Sequence, residues 1–282
     1  MYICTKLAKL SEIHLLFASA LWETVGLYAL IFVASIITGF INTLAGSGSL
    51  IMLPLLMGMG LSAPVANGTN RVAILVQCLV GVRTFLRRQS IQLGESWWTI
   101  GVATVGAVVG AWAATQLSPA FLEQFISYLL GLMLVLILVK PEKWVKSQPN
   151  APTYDKHWGS LLASLAVGFY GGFIQGGVGI FLMIALVNLT NYTVQRANAV
   201  KLTITAVYAL PVLLVYVYFN QVDWYWGCIS AIGQSVGAYI GARFAVEHPQ
   251  ANIWTYRLLI LLLVVLLLRD FAPLFYKLFT IV

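Results

Sequence analysis

Residues 39–60 read GFINTLAGSGSLIMLPLLMGMG, a weakly polar glycine cluster that runs into about a dozen apolar residues and ends on Gly58 and Gly60. The stretch sits in a window, residues 24–70, that holds no Asp, Glu, Lys or Arg. A helix crosses the hydrocarbon with about 20 apolar residues at ~1.5 Å each, so a window this long must enter the membrane, break and fold back within it. A second charge-free window, residues 157–195, contains GFYGGFIQGGVG at 168–179 and poses the same problem. Around both, the 282-residue chain is 60% hydrophobic and 9% charged, against roughly 25% charged in soluble domains. The fold class this dictates is an all-α polytopic membrane protein in contact with the lipid bilayer.

Apolar segments fall at about 24–45, 49–60, 70–86, 97–117 and 123–139, then at about 158–176, 180–190, 200–219, 224–243 and 254–268. Adding 131 to a residue number in the first series reaches its counterpart in the second without a gap. Gly46 falls on Gly177, Gly48 on Gly179, Asn67 on Asn198, Gly106 on Gly237 and Gly110 on Gly241. Internal duplication of this kind is a mark of transporters. The organisation expected is a lead-in over 1–22, a first repeat over 23–140, a polar connector over 141–157 carrying Pro141, Pro149 and Pro152 in or beside it, and a second repeat over 158–282.

The net charge of +7 does not point to nucleic acid, because the basic residues cluster at segment ends, where they orient helices with the positive side in the cytoplasm. Arg83, Arg87 and Arg88 close the third segment and Lys140, Lys143 and Lys146 the fifth, whereas in the second series the loop 220–223 has no base and Arg243 and Arg257 follow the ninth segment. Sidedness switches, as an odd number of segments per repeat requires, which predicts halves of inverted topology. Lys6 and Lys9 then fall outside, against the rule. Cys4, Cys78 and Cys228 have no metal or disulfide spacing and read as packing residues.

Each glycine cluster separates a full segment from a segment only about 12 residues long, so each marks a break near mid-depth. Irregular backbone there is tolerated only where it is buried in protein or lines a wet cavity, and the short helix aims its positive end at the break. Such a place suits an anion. Asn42, Thr43, Ser47, Ser49 and Gln175 supply polar side chains beside Gly46, Gly48, Gly176, Gly177 and Gly179, which packing alone would not require. After each short segment comes a second cluster, Asn67, Thr69, Asn70 and Arg71 in ANGTNR, and Asn198 and Lys201 in ANAVK. Charges at a helix entrance often only snorkel to headgroups, but neither base has an acid nearby in sequence, and a mobile anion would serve both. The pairs Gly106/Gly110 and Gly237/Gly241 read instead as close-packing faces, within the bundle or against a second copy, so a homo-oligomer stays open.

From about residue 24 to 270 the sequence resembles the TauE/SafE sulfite exporters, most in GFINTLAGSGSLIMLPLL with ANGTNR, and in GFYGGFIQGGVGIFLMIAL with RANAVKL. The resemblance implies a duplicated carrier of the bacterial inner membrane that passes sulfite, sulfoacetate and related anionic sulfur compounds outward. It also implies that the family's two glycine loops correspond to Gly46 and Gly48, and to Gly176, Gly177 and Gly179, and its TN(K/R) element to Thr69, Asn70 and Arg71. AGSGS is a shorter glycine run than is common there, and Arg71 stands where Lys is frequent.

Enzyme chemistry is not expected: no HExxH, no His or Cys cluster and no acid pair inside an apolar run supports a metal or cofactor site, and His14, His157 and His248 lie at segment ends. The lack of carboxylates in the apolar runs also argues against a cation carrier. The reading is an exporter of small anions whose two halves rock around the two breaks; the alternative is an anion channel or a carrier of a different small solute.

Overall fold

The computed structural model describes residues 25–88, 97–138, 158–188 and 194–247, together with Arg257 and Leu261. The lead-in 1–22, the connector 141–157 and the expected segment at 254–268 lie outside the described residues. The described residues form nine helices and no strand: α1 (Val25–Leu44), α2 (Ser49–Gly58), α3 (Ala63–Arg88), α4 (Trp97–Thr115), α5 (Pro119–Leu138), α6 (Trp158–Phe173), α7 (Val178–Asn188), α8 (Val194–Tyr218) and α9 (Trp224–Glu247). Helices α1, α3, α4 and α8 are long and apolar enough to cross a membrane.

The two breaks appear where the glycines place them. Helix α1 stops at Leu44 and Gly46 turns the chain at φ 71°; α6 stops at Phe173 and Gly177, its partner under the 131 offset, turns it at φ 75°. Positive φ is the conformation a side chain opposes and glycine accepts. The short helices that follow have 10 and 11 residues, a rise of about 15–16 Å. Helix α2 ends where Gly60 adopts φ 92°. At other boundaries polar side chains do the work: Ser118 Oγ accepts from Phe121 N at the start of α5, and Asp223 Oδ1 accepts from Trp226 N at the start of α9.

Helices α3 and α8 begin earlier than hydropathy predicts, at 63 and 194 rather than about 70 and 200. The polar clusters ANGTNR and ANAVK therefore lie inside helices, not at their entrances. Polar residues lower mean hydropathy, but here Asn67, Thr69, Asn70, Arg71 and Lys201 are buried with hydrogen-bond partners, which replace apolarity as the reason they sit within the helix. Arg243, expected beyond the ninth segment, is likewise inside α9, paired with Glu247 one turn on at 2.8 Å.

Glycine and alanine decide which helices touch. A Cβ on Gly237 would lie 1.9 Å from the Ile36 carbonyl oxygen, and one on Gly39 2.1 Å from that of Gln234, so α1 packs backbone to backbone on α9. A Cβ on Gly110 would lie 2.0 Å from the Phe169 carbonyl oxygen and one on Gly172 1.8 Å from that of Ala107, so α4 packs the same way on α6. The expected packing faces are thus used within the bundle. Both pairs are parallel, with Ser35 beside Gly233 and Phe40 beside Gly241, and Ala103 beside Gly168 and Ala107 beside Gly172. Helix α3 runs parallel to α9, with Val72 beside Gly227 and, further along both, Arg83 and Arg87 lining one cavity with Tyr239, and antiparallel to α8, with Tyr216 beside Gly68 and Leu202 beside Gly81. The Gln221 side chain just after α8 donates to the Thr115 carbonyl at the end of α4 at 3.3 Å, so the helices form two sets of like direction, α1, α3, α9 and α4, α6, α8. Several exposed aromatics lie at helix ends, Trp97 and Trp98 on α4, Trp158 on α6, Tyr218 on α8, Trp224 and Tyr225 on α9, as rings do at a membrane interface.

Candidate functional site

The last carbonyls of a helix have no partner within it, and the dipole leaves about half a negative charge there. Two such ends, those of α1 and α6, are buried at the breaks, and each receives a cation from the other half of the chain. Arg71, on α3 and fully buried, donates from Nη1 to the Gly171 carbonyl at 2.6 Å and to Gln175 Oε1 at 2.7 Å, and from Nη2 to the Gly172 carbonyl at 2.7 Å and to Asn67 Oδ1 at 3.3 Å. Asn67 Nδ2 donates to the Phe173 carbonyl at 2.8 Å and to the Tyr216 hydroxyl at 2.7 Å. The guanidinium also lies 5.3 Å from the centre of the Tyr216 ring. At the other break, Lys201 on α8 donates from Nζ to the carbonyls of Thr43 at 3.1 Å and Leu44 at 3.5 Å. Under the 131 offset Lys201 corresponds to Asn70 and Arg71 to Leu202, one residue apart on the helix, yet both bases reach the opposite broken helix.

The breaks meet each other. A Cβ on Gly46 would lie 2.2 Å from the Gly179 Cα, and Gly179 N donates to the Gly46 carbonyl at 3.0 Å. Beside this contact is a small cavity of about 10 Å³ lined by residues of both halves, among them Asn42, Gln77, Cys78, Gln175, Lys201 and Thr205, with Gly46 and Gly179 in its wall. That volume is about one water-sized sphere, too small for an oxyanion. Gln175 links the two ends, since its Oε1 accepts from Arg71 and, at 3.2 Å, from the Tyr208 hydroxyl while its side chain lines the cavity.

Of the residues expected at a site, Asn42, Gly46, Gln175, Gly179 and Lys201 line this cavity. Thr43 supplies a carbonyl to Lys201, and Asn67 and Arg71 join the cavity through Gln175. Ser47 and Gly48 form the wall of the first break, with the Ser47 hydroxyl buried without a partner among the described residues and Gly48 N donating to Asn42 Oδ1 at 3.2 Å. Gly176 and Gly177 face Leu129 and Met133 of α5. Thr69 and Asn70 turn the other way: Thr69 Oγ1 accepts from Asp223 N at 2.8 Å, and Asn70 Oδ1 from Gln234 Nε2 at 3.3 Å, so both tie α3 to α9 and its preceding loop. Asn198 is buried with Oδ1 unpartnered among the described residues. Hydropathy reading missed Gln77, Thr205, Tyr208 and Tyr216. A lone Gln in an apolar run was the available signal for the first, while the tyrosines are indistinguishable in sequence from interfacial aromatics.

Among the described residues Arg71 and Lys201 are the buried ionisable cations and no carboxylate is buried. Residues 31–269 match the model of the family described as Sulfite exporter TauE/SafE. The chain belongs to the TauE/SafE family. Proteins similar to this TauE/SafE chain include the probable membrane transporter protein YfcA of Escherichia coli, 27% identical over 80% of this chain and 84% of its own length. A probable membrane transporter protein of Sinorhizobium is 29% identical over 78% and 84%, and one of Haemophilus influenzae 24% identical over 81% and 89%. No solved structure matches. As a TauE/SafE protein with several apolar helices, the chain is a multi-pass membrane transporter.

Proposed function

We propose that this transporter exports a small sulfur oxyanion, sulfite or an organosulfonate such as sulfoacetate, across the bacterial inner membrane by alternating access at the cavity between the two glycine breaks. The observation that carries the reading is the pair of buried cations. Arg71 and Lys201 each cap the C-terminal end of a broken helix from the opposite half. Two helix C-termini offset roughly one positive charge in total, and the N-termini of α2 and α7 at the same breaks return roughly one. The centre therefore keeps about two positive charges with no buried acid among the described residues, which a mobile anion of one or two charges would balance.

The small size of the cavity supports a moving mechanism, because an oxyanion fits only if the Gly46–Gly179 contact opens. The repeats proposed are 23–140 and 158–282, inverted about an axis in the membrane plane. Supporting this are the antiparallel run of α3 against its counterpart α8 and the matching parallel pairs α1 on α9 and α6 on α4. On this reading the moving bodies are α1, α2, α3 and α9 against α4, α6, α7 and α8. Lys201, Gln77, Asn42 and Gln175 face the anion, while Arg71 holds Gln175 in place. An inside-negative potential drives anion exit without a carboxylate relay.

The test is flux of radiolabelled sulfite, sulfoacetate, sulfate and chloride in proteoliposomes under an imposed potential. Saturable movement of a sulfur anion that is lost in Lys201→Met is expected. Transport of that anion at the wild-type rate by Lys201→Met overturns the electrostatic site, and unsaturable flux insensitive to Gly46→Ala replaces the carrier with a channel.

A further inference from the structure

A second cavity, of about 280 Å³, opens between α3 and α9 and is lined by Val80, Arg83, Thr84, Arg87 and Tyr239. Arg83 and Arg87 are one turn apart on α3, so their guanidiniums share a face. Among the described residues neither has a carboxylate partner, and the nearby Glu247 is engaged by Arg243. The Thr84 hydroxyl donates back to the Val80 carbonyl at 2.8 Å, leaving the arginines as the charged donors of the mouth.

What lies below the mouth identifies the occupant. Val76 and Leu79 on α3 are 38% and 54% exposed, and Ile232 and Val236 on α9 are 61% and 41% exposed. Helical spacing puts Val76, Val80, Arg83 and Arg87 on one stripe of α3, and Ile232, Val236, Tyr239 and Arg243 on one stripe of α9. Because α3 and α9 are parallel, the two stripes run side by side, apolar toward the middle of the helices and cationic at the end. A free oxyanion would use only the top of such a groove. A phospholipid uses all of it, with acyl chains along the apolar stripes and the phosphodiester between Arg83 and Arg87.

We infer that the α3–α9 groove is a binding site for an anionic phospholipid, its phosphate held by Arg83 and Arg87 and its chains lying on Val76, Leu79, Ile232 and Val236. Arginine forks suit a phosphate oxygen pair, and basic pockets between transmembrane helices take anionic headgroups. Bound there, the lipid fastens a helix of the first half to one of the second. The inference does not depend on which solute is transported.

The experiment measures lipid retained by the full-length protein in native mass spectrometry, and the thermal shift on addition, with phosphatidylglycerol, phosphatidylcholine of the same chains, and inorganic phosphate. A roughly tenfold preference for phosphatidylglycerol is expected, falling to about twofold in Arg83→Gln/Arg87→Gln. The pair Arg83→Lys/Arg87→Lys keeps the charge that orients α3, so it reports even if the Gln pair inserts poorly, and a clear fall in preference is expected there too, because the fork is lost. A preference unchanged in either pair overturns the site, as does a thermal shift that inorganic phosphate alone reproduces.

Discussion

Replacing Arg71 by methionine removes four hydrogen bonds at the end of α6 while keeping most of the side-chain volume. Side-chain hydrogen bonds in membrane proteins average about 0.6 kcal/mol, with a maximum near 1.7, and those to charged groups in soluble proteins reach about 1.5–3. Four bonds bracket the loss at about 2–7 kcal/mol, and the Tyr216 hydroxyl and Asn67, which still reach the carbonyls of Gly172 and Phe173, place it toward the low end, about 3 kcal/mol. Lys201→Met removes two bonds, one of them at 3.5 Å, and should cost about 1 kcal/mol. Relief of the buried charge's desolvation acts in both variants, so their difference is the informative quantity. At about 2–4 °C per kcal/mol for a chain of this size class, Arg71→Met should lower the apparent Tm by roughly 6–12 °C and Lys201→Met by roughly 2–4 °C. Because many large proteins unfold irreversibly, the two are compared at one scan rate by the loss of the monodisperse peak on size exclusion. Equal shifts, or a larger one for Lys201, would refute the account of Arg71 as the stronger cap.

Further outcomes follow from the close approaches. Gly46→Ala and Gly179→Ala each place a Cβ about 2.2 Å from the other glycine's Cα, so each should abolish flux, read in the same proteoliposomes. Gly101→Ala meets nothing within 4 Å and lies inside α4, so it should raise stability by up to about 1 kcal/mol, whereas Gly172→Ala, 1.8 Å from the Ala107 carbonyl oxygen, should prevent a monodisperse preparation. With Cys4 and Cys228 replaced by serine, the buried Cys78 at the cavity should react slowly with a small charged maleimide at rest and severalfold faster during turnover; equal rates would argue against opening of the breaks.

Charge-free windows and glycine clusters made the helical membrane fold legible, and the positions of both breaks, because few residue types other than glycine accept the φ that Gly46 and Gly177 adopt. The polar clusters were legible as special but not in their geometry. Nothing in ANGTNR tells that Arg71 turns toward the end of α6 while Thr69 and Asn70, two and one residues before it, turn toward α9 and its preceding loop. That choice is made by which helices pack on α3, a long-range fact. The lack of an acid near either base in sequence points to an anion; helix-end carbonyls, partners that no residue type advertises, meet part of that need.

The pairing of α1 with α9 sets a schedule for synthesis. Helix α1 ends at Leu44 and the partner for its Gly39 face ends at Glu247, about 200 residues later. At about 5–20 residues per second, α1 waits roughly 10–40 s in the bilayer with its Ile36, Gly39 and Phe40 face turned toward lipid or a chaperone, while α4 meets α6 much sooner. The first of the described helices to be made is among the last of them to be locked in place, so lesions in α9 should surface as turnover of an otherwise inserted chain during biogenesis.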